Sequence, residues 1–130
     1  MIFTEKALEI KAELEKMGHQ VSISSFAQKY VGIASEKERE DLTVYHKNET
    51  DAVRMYWEEV KKSDAILVVN YDRRGIKNYI GGNTFWEIGF AHVLHKKIFL
   101  LNPVPEVDLY KSEIEATKPI FINGDLSLIK

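Results

Sequence analysis

The 130-residue chain contains no cysteine. Disulfides, thiolate metal sites and a thiol nucleophile are thereby excluded, while the compartment is left open. It has no excess of positive charge: 18 Lys and Arg stand against 20 Asp and Glu, a formal net charge of −2. Without a global basic field to hold a phosphate backbone, nucleic acid is not an expected partner. Long apolar runs are missing too. The longest aliphatic stretch, Ala65 to Val69, is far too short to span a bilayer, so no membrane partner is expected. Met1-Ile2-Phe3-Thr4-Glu5 has no basic-then-apolar leader, and the expected location is cytoplasmic. There is no repeat and no linker. What remains is one globular domain over residues 1–130, with enough apolar content, 45%, to build a core.

The hydrophobic spacing predicts the elements. Ala7, Ile10, Leu14 and Met17 recur at helical intervals, with Thr4 as N-cap, Glu5 favouring the positive helix end and Gly18 as the left-handed terminator. Val21 and Ile23 alternate with polar neighbours and predict a half-exposed strand. Ser35 to Asp41 is a charge run, read as a solvated helix or loop, with Tyr30, Tyr45 and His46 offering a lid as the other reading. Val53, Tyr56, Trp57 and Val60 predict a helix over about 51–62. Ala65 to Val69 and Ile98 to Leu101 are continuously apolar, as strands of a parallel sheet covered on both faces are. Between them a mostly apolar helix is predicted from Asn83 or Thr84 to His95. A short helix at 111–116, a strand at 120–122 and a turn at 125–129 follow. This alternation predicts an α/β fold, a three-layer, mainly parallel sheet of four to five strands. The chain opens on a helix where such domains open on a strand; either that strand is absent or the sheet closes without it.

Ligands of open α/β sheets bind beyond the carboxyl ends of the strands. Three loops qualify: 70–83, 102–108 and 123–125. The first is the longest and places Gly81-Gly82 just before a helix, where exposed N–H groups can meet an anion or a sugar hydroxyl. Glu87 has two readings. Thr84-Phe85-Trp86-Glu87 fits a capping box in which Glu87 reaches back to the helix start. Alternatively, a carboxylate at the ligand edge, kept ionised by the helix dipole, can attack an anomeric carbon. His92 and His95 lie three apart, but no third ligand accompanies them, so no metal is expected. Serine-elbow, Walker A and Gly-x-Gly-x-x-Gly motifs do not occur.

Glu87-Ile88-Gly89-Phe90-Ala91, with Thr84 three residues before and Lys96-Lys97-Ile98-Phe99-Leu100-Leu101 after, resembles the nucleoside 2-deoxyribosyltransferase superfamily, which includes deoxynucleoside monophosphate N-glycosidases. A looser similarity runs from the 8–18 helix through Ser63 to Asn70. The resemblance implies a flavodoxin-like fold in which Glu87 attacks C1′ of a 2-deoxyribosyl group. It implies no metal or organic cofactor, a nucleoside or nucleotide as the small-molecule partner, and a homo-oligomer to which Trp86 and Phe90 would contribute contacts. Substrate contacts are expected from Phe3, Asn70, Asp72, Gly81, Gly82, Asn83 and Asn102. The chain departs from the family pattern at three places: Gly81 stands where an Asp assists the leaving base, Asn83 where a Gly is usual, and His95 in place of the turn Gly. Asp72 or Asn70 would take over the missing Asp's part, and Phe3 would be the remnant of the first strand's loop. Two functions follow: an enzyme of N-glycosidic chemistry, or a nucleotide-binding or sensing module that kept the pocket and lost the reaction. Arg73, Arg74 and Lys77 are either solvated loop residues or a preference for phosphate.

Overall fold

The computed structural model describes residues 4–23 and 51–130. The chain divides into two compact units, residues 1–54 and 55–130. In the first unit α1 spans Thr4–Lys16, and the expected Thr4 cap lies outside what the described residues cover. The helix ends as its sequence predicts. Gly18 adopts φ +96°, Gly18 N donates to Glu15 O and His19 N donates to Leu14 O, the paired bonds of a Schellman terminus. Leu14 is the buried member of the apolar stripe, and Met17 is exposed. Residues 20–23 are not in a strand, contrary to expectation. Alternation records which side chains face outward, whereas a strand exists only where its backbone groups are paired. The charge run 35–41 and Tyr30, Tyr45 and His46 lie outside the described residues, as does Phe3.

The second unit carries the sheet. Helix α2 (Ala52–Lys62) leads into it, begun by Asp51, whose carboxylate accepts from Arg54 N. Three parallel strands follow in the order β1 (Ala65–Val68), β2 (Lys97–Leu100), β3 (Ile120–Phe121). Helix α3 (Gly82–Val93) connects the first pair and α4 (Lys111–Ala116) the second; a short 3-10 turn, Leu126–Leu128, follows β3. The register sets Ile66 beside Ile98 and Val68 beside Leu100. These alternate residues share one sheet face. Val60, Ile88, Ala91 and Ile114 of the three helices complete their core, together with Ile80 and Val104 from the connecting segments. The result is a mixed α/β arrangement around a small open parallel sheet. The described residues hold three strands of the four to five expected. Among them no helix is long and apolar enough to cross a membrane.

The end of α3 sets His95 in a left-handed turn. His95 adopts φ +59°, with His95 N bonded to His92 O and Lys96 N to Ala91 O, another Schellman terminus. A residue with a Cβ is strained there, and glycine is not. His95→Gly should therefore stabilise the protein by about 1 kcal/mol in a urea titration, an effect His95→Ala will not reproduce. His92 and His95 are both exposed, and no group of three or more potential metal ligands exists among the described residues.

Candidate functional site

Three chain segments meet where β1 and β2 end. Beyond β1 the chain buries Asn70 completely. An amide side chain there must find partners, and Asn70 finds them across the strand ends. Its Nδ2 donates to Asn102 O (2.8 Å) and Pro103 O (3.1 Å), and its Oδ1 accepts from Asn102 N (2.9 Å). Asn102 Nδ2 returns the clasp to Asn70 O at 2.9 Å. The two asparagines expected to touch substrate are thus brought together, but the Asn70 amide spends its hydrogen bonds on the loop after β2. Its role is to lock the two ligand-edge loops to each other.

Residues 71–79 then fold into a small hairpin. Arg73 and Ile76 exchange main-chain bonds of 3.0 and 2.9 Å, and Tyr79 N donates to Tyr71 O. Arg74 and Gly75, at φ +54° and +73°, form the tip, a conformation of the type I′ turn. Asp72 is exposed, and its Oδ1 accepts from Asn78 N at 2.9 Å. The Arg73 guanidinium sits over the Tyr79 ring, 5.5 Å from its centre. The same ring lies against Gly81, where an added Cβ would fall 3.4 Å from Tyr79 Cε1.

Helix α3 starts earlier than its sequence predicts. Gly81 is the N-cap, extended at φ −84° and ψ 173°, with no side-chain cap, and Phe85 N bonds to Gly81 O. The cause is tertiary. Ile80 is buried in the core, and its carbonyl accepts from Tyr110 Oη at 2.6 Å, so the chain is pinned directly before Gly81. Phe85 also packs edge-on against Tyr110, ring centres 5.4 Å apart. Gly82 is exposed and Asn83 half-buried in the first turn. Thr84 falls within that turn rather than before it, which removes the capping box: Glu87 sits in the second turn and cannot reach back to the helix start.

Glu87 is only partly accessible. Loss of water, and then the nearby Glu59 carboxylate of α2, push its carboxyl from the usual 4.5 up to about 7. This corrects the expectation that the helix dipole holds it firmly ionised. The dipole acts within the first turn, and one turn further in burial outweighs it. On the same helix Trp86, half-exposed, stacks on Phe90 at 5.7 Å, and Trp57 of α2 meets Phe90 edge-on at 5.3 Å. Sequence reasoning overlooked Glu59, Tyr79 and Tyr110. Glu59 was detectable, since it lies three residues after Tyr56 and beside Val60 on the face of α2 that turns inward. The two tyrosines had no local signal.

Fold and site together define a parallel α/β domain with a desolvated carboxyl on the helix that begins at the ligand edge. Comparison of the chain with family models, with curated proteins and with solved structures finds no match.

Proposed function

We propose that the chain is a nucleoside 2-deoxyribosyltransferase-like domain of flavodoxin-like, three-layer type. In this reading it cleaves or transfers the N-glycosidic bond of a (deoxy)nucleoside or its 5′-monophosphate. Glu87 carries the proposal, as a partly accessible carboxyl perturbed to about 7 on the helix that follows β1 at the ligand edge. Ionised Glu87 attacks C1′, and the C1′–N bond breaks as a C1′–O bond forms. The base leaves with the bonding pair and takes a proton from water. A second base, or water, then attacks C1′ and frees the carboxylate, so the configuration is retained. No metal or organic cofactor enters these steps. The proposed setting is a cytoplasmic homo-oligomer.

A second reading, a nucleotide-binding or sensing module, draws support from the Asn70–Asn102 clasp, which withdraws the Asn70 amide from the expected sugar contacts. Release or exchange of base from a panel of deoxynucleosides and their 5′-monophosphates separates the two. Turnover abolished by Glu87→Ala supports the enzyme; nucleotide binding without turnover, indifferent to Glu87→Gln, supports the module.

The enzyme reading fixes a pH profile. Attack requires the ionised carboxyl, so the rate should climb about tenfold per pH unit below about 7 and level off above it. Glu59→Gln removes the like charge that helps to raise Glu87, and should move this limb toward acid. A limb that stays in place would show that burial alone, without the Glu59 charge, raises the group.

A further inference from the structure

We propose that Asn123-Gly124, in the turn after β3, is a latent modification site. The fold holds the asparagine unreactive; when the turn opens it converts to isoaspartate and loosens the ligand edge. The inference stands apart from the glycosidic reading and needs no reactant but water and solvent base.

Of the asparagines in the chain, Asn123 alone precedes a glycine. Such a pair carries an intrinsic reaction. The main-chain nitrogen of Gly124 gives its proton to solvent base and attacks Cγ of Asn123. The new N–Cγ bond closes a five-membered succinimide ring. The Cγ–Nδ2 bond breaks, and the departing nitrogen takes a proton back from water and leaves as ammonia. Water then opens the ring at Cγ, giving aspartate, or at the main-chain carbonyl carbon, giving isoaspartate. One water is consumed and one ammonia released. Glycine favours the attack because it has no Cβ to crowd the nitrogen. Asn123 is exposed, so base and water reach it.

The fold opposes the first step twice. Asp125 N donates to Ile122 O at 2.9 Å, and the residues between them, Asn123 and Gly124, have φ of +47° and +78°. This is a type I′ turn, for which Asn-Gly is a preferred pair. Ring closure needs Gly124 N nearly eclipsed with Cβ of Asn123. At the ψ of about +30° that a type I′ turn gives its first central residue, the nitrogen stands almost opposite that Cβ. The same nitrogen donates to Leu101 O at 2.9 Å, and Leu101 is buried, which keeps its proton from solvent base.

The way to open the turn lies beside it. Strand β3 has two residues, both exposed, and sits at one end of the strand order. The anchor next to the turn is Ile122, buried, with its N–H on Leu100 O. Short edge elements open at low free energy. Isoaspartate adds a methylene to the main chain, so the turn and the bond to Leu101 O cannot re-form as they were. It also sets a carboxylate two residues before Asp125, whose Oδ1 already accepts from Ser127 N and Ser127 Oγ. Leu101 directly precedes Asn102 of the Asn70 clasp, so the disturbance falls on the ligand edge.

Incubating the full chain at mildly alkaline pH, in buffer and in unfolding urea, tests this by intact mass and peptide mapping. In urea the amide-to-acid change should map to position 123. In the folded protein it should run at least about tenfold slower. Ile122→Val trims the anchor and keeps the Asn-Gly pair. It should speed the folded-state reaction about two- to tenfold and leave the rate in urea unchanged. The isoaspartyl form, isolated by chromatography and quantified by enzymatic methylation of isoaspartate, should unfold at lower urea than the unmodified chain. Asn123→Asp adds the charge without lengthening the main chain, and aspartate tolerates the left-handed region, so it should unfold near the wild type. No change at position 123 in urea overturns the site. Equal rates in buffer and urea overturn the lock, and a folded-state rate unmoved by Ile122→Val overturns opening through β3. An isoaspartyl form as stable as the wild type overturns the loosening.

Discussion

Glu87→Gln should abolish base release or exchange while making the protein more stable above neutral pH. Both effects have one origin. The native carboxyl ionises near 7, whereas an exposed glutamate does so near 4.5. Its folded pKa is raised, so the folded state binds the proton more tightly than the unfolded chain does. The associated stability is fully present below about 4.5 and is lost as pH rises through about 7. At 1.36 kcal/mol per pKa unit, holding the ionised group in the folded protein at pH 8 costs up to about 3 kcal/mol. Glutamine keeps the shape and never ionises. Denaturant titrations should therefore show Glu87→Gln gaining about 2–3 kcal/mol over the wild type at pH 8, and under about 1 kcal/mol at pH 5. The variant also removes the carboxylate proposed as nucleophile, so on that proposal turnover should fall to background, a loss of three orders of magnitude or more. A variant stabilised at pH 8 but fully active would place the chemistry elsewhere. One whose stability follows the wild type at every pH would show that Glu87 lies in water in the folded state.

Asn70→Ala should be the most damaging single substitution at the ligand edge. Its side chain joins the ends of β1 and β2 through donors to Asn102 O and Pro103 O and an acceptor for Asn102 N, all from a fully buried position. Truncation leaves Asn102 O, Pro103 O, Asn102 N and the more distant Asn78 O without that partner and opens a small cavity. At about 1 kcal/mol per lost bond, plus the penalty of burying unpaired groups, the expected cost is about 3–4 kcal/mol. For a domain of this size that lowers Tm by about 10 °C. Asn70→Asp supplies a sharper control. The shape is kept, but a carboxylate would face two carbonyl oxygens, so this variant should be worst at neutral pH and recover toward acid as the new group protonates. A cost under about 1 kcal/mol for Asn70→Ala would mean that the two loops are held by their main chains alone.

Much of the second unit could be read directly from residue order. The continuous β-branched run at 65–69 and the apolar run at 98–101 announced buried parallel strands, and β1 and β2 lie there. The helix at 111–116 falls on its expected residues, and Gly18 ends α1 in the conformation that only glycine adopts without strain. The candidate site was legible as a place and less so as a mechanism. Glu87, Gly81 and the ligand-edge loops were identifiable, because strand ends, glycine pairs and isolated carboxyls are local features. The partners of each were not. Asn70 read as a ligand contact and is a buried clasp, since its partners Asn102 and Pro103 lie more than thirty residues away.

The amino-acid order on its own decided which segments would be apolar on one face and which on all, and so the sequence of helices and strands in the sheet-bearing unit. Those choices depend on interactions within about one turn or one strand. Only the tertiary structure decided where α3 begins, because the Tyr110 hydroxyl holds Ile80 from thirty residues away. It alone decided the ionisation of Glu87, because burial and the Glu59 charge come from packing α3 within the fold. Distance in the chain sets the division: local preference chooses an element, while packing between distant segments sets its ends, its buried polar contacts and its charges.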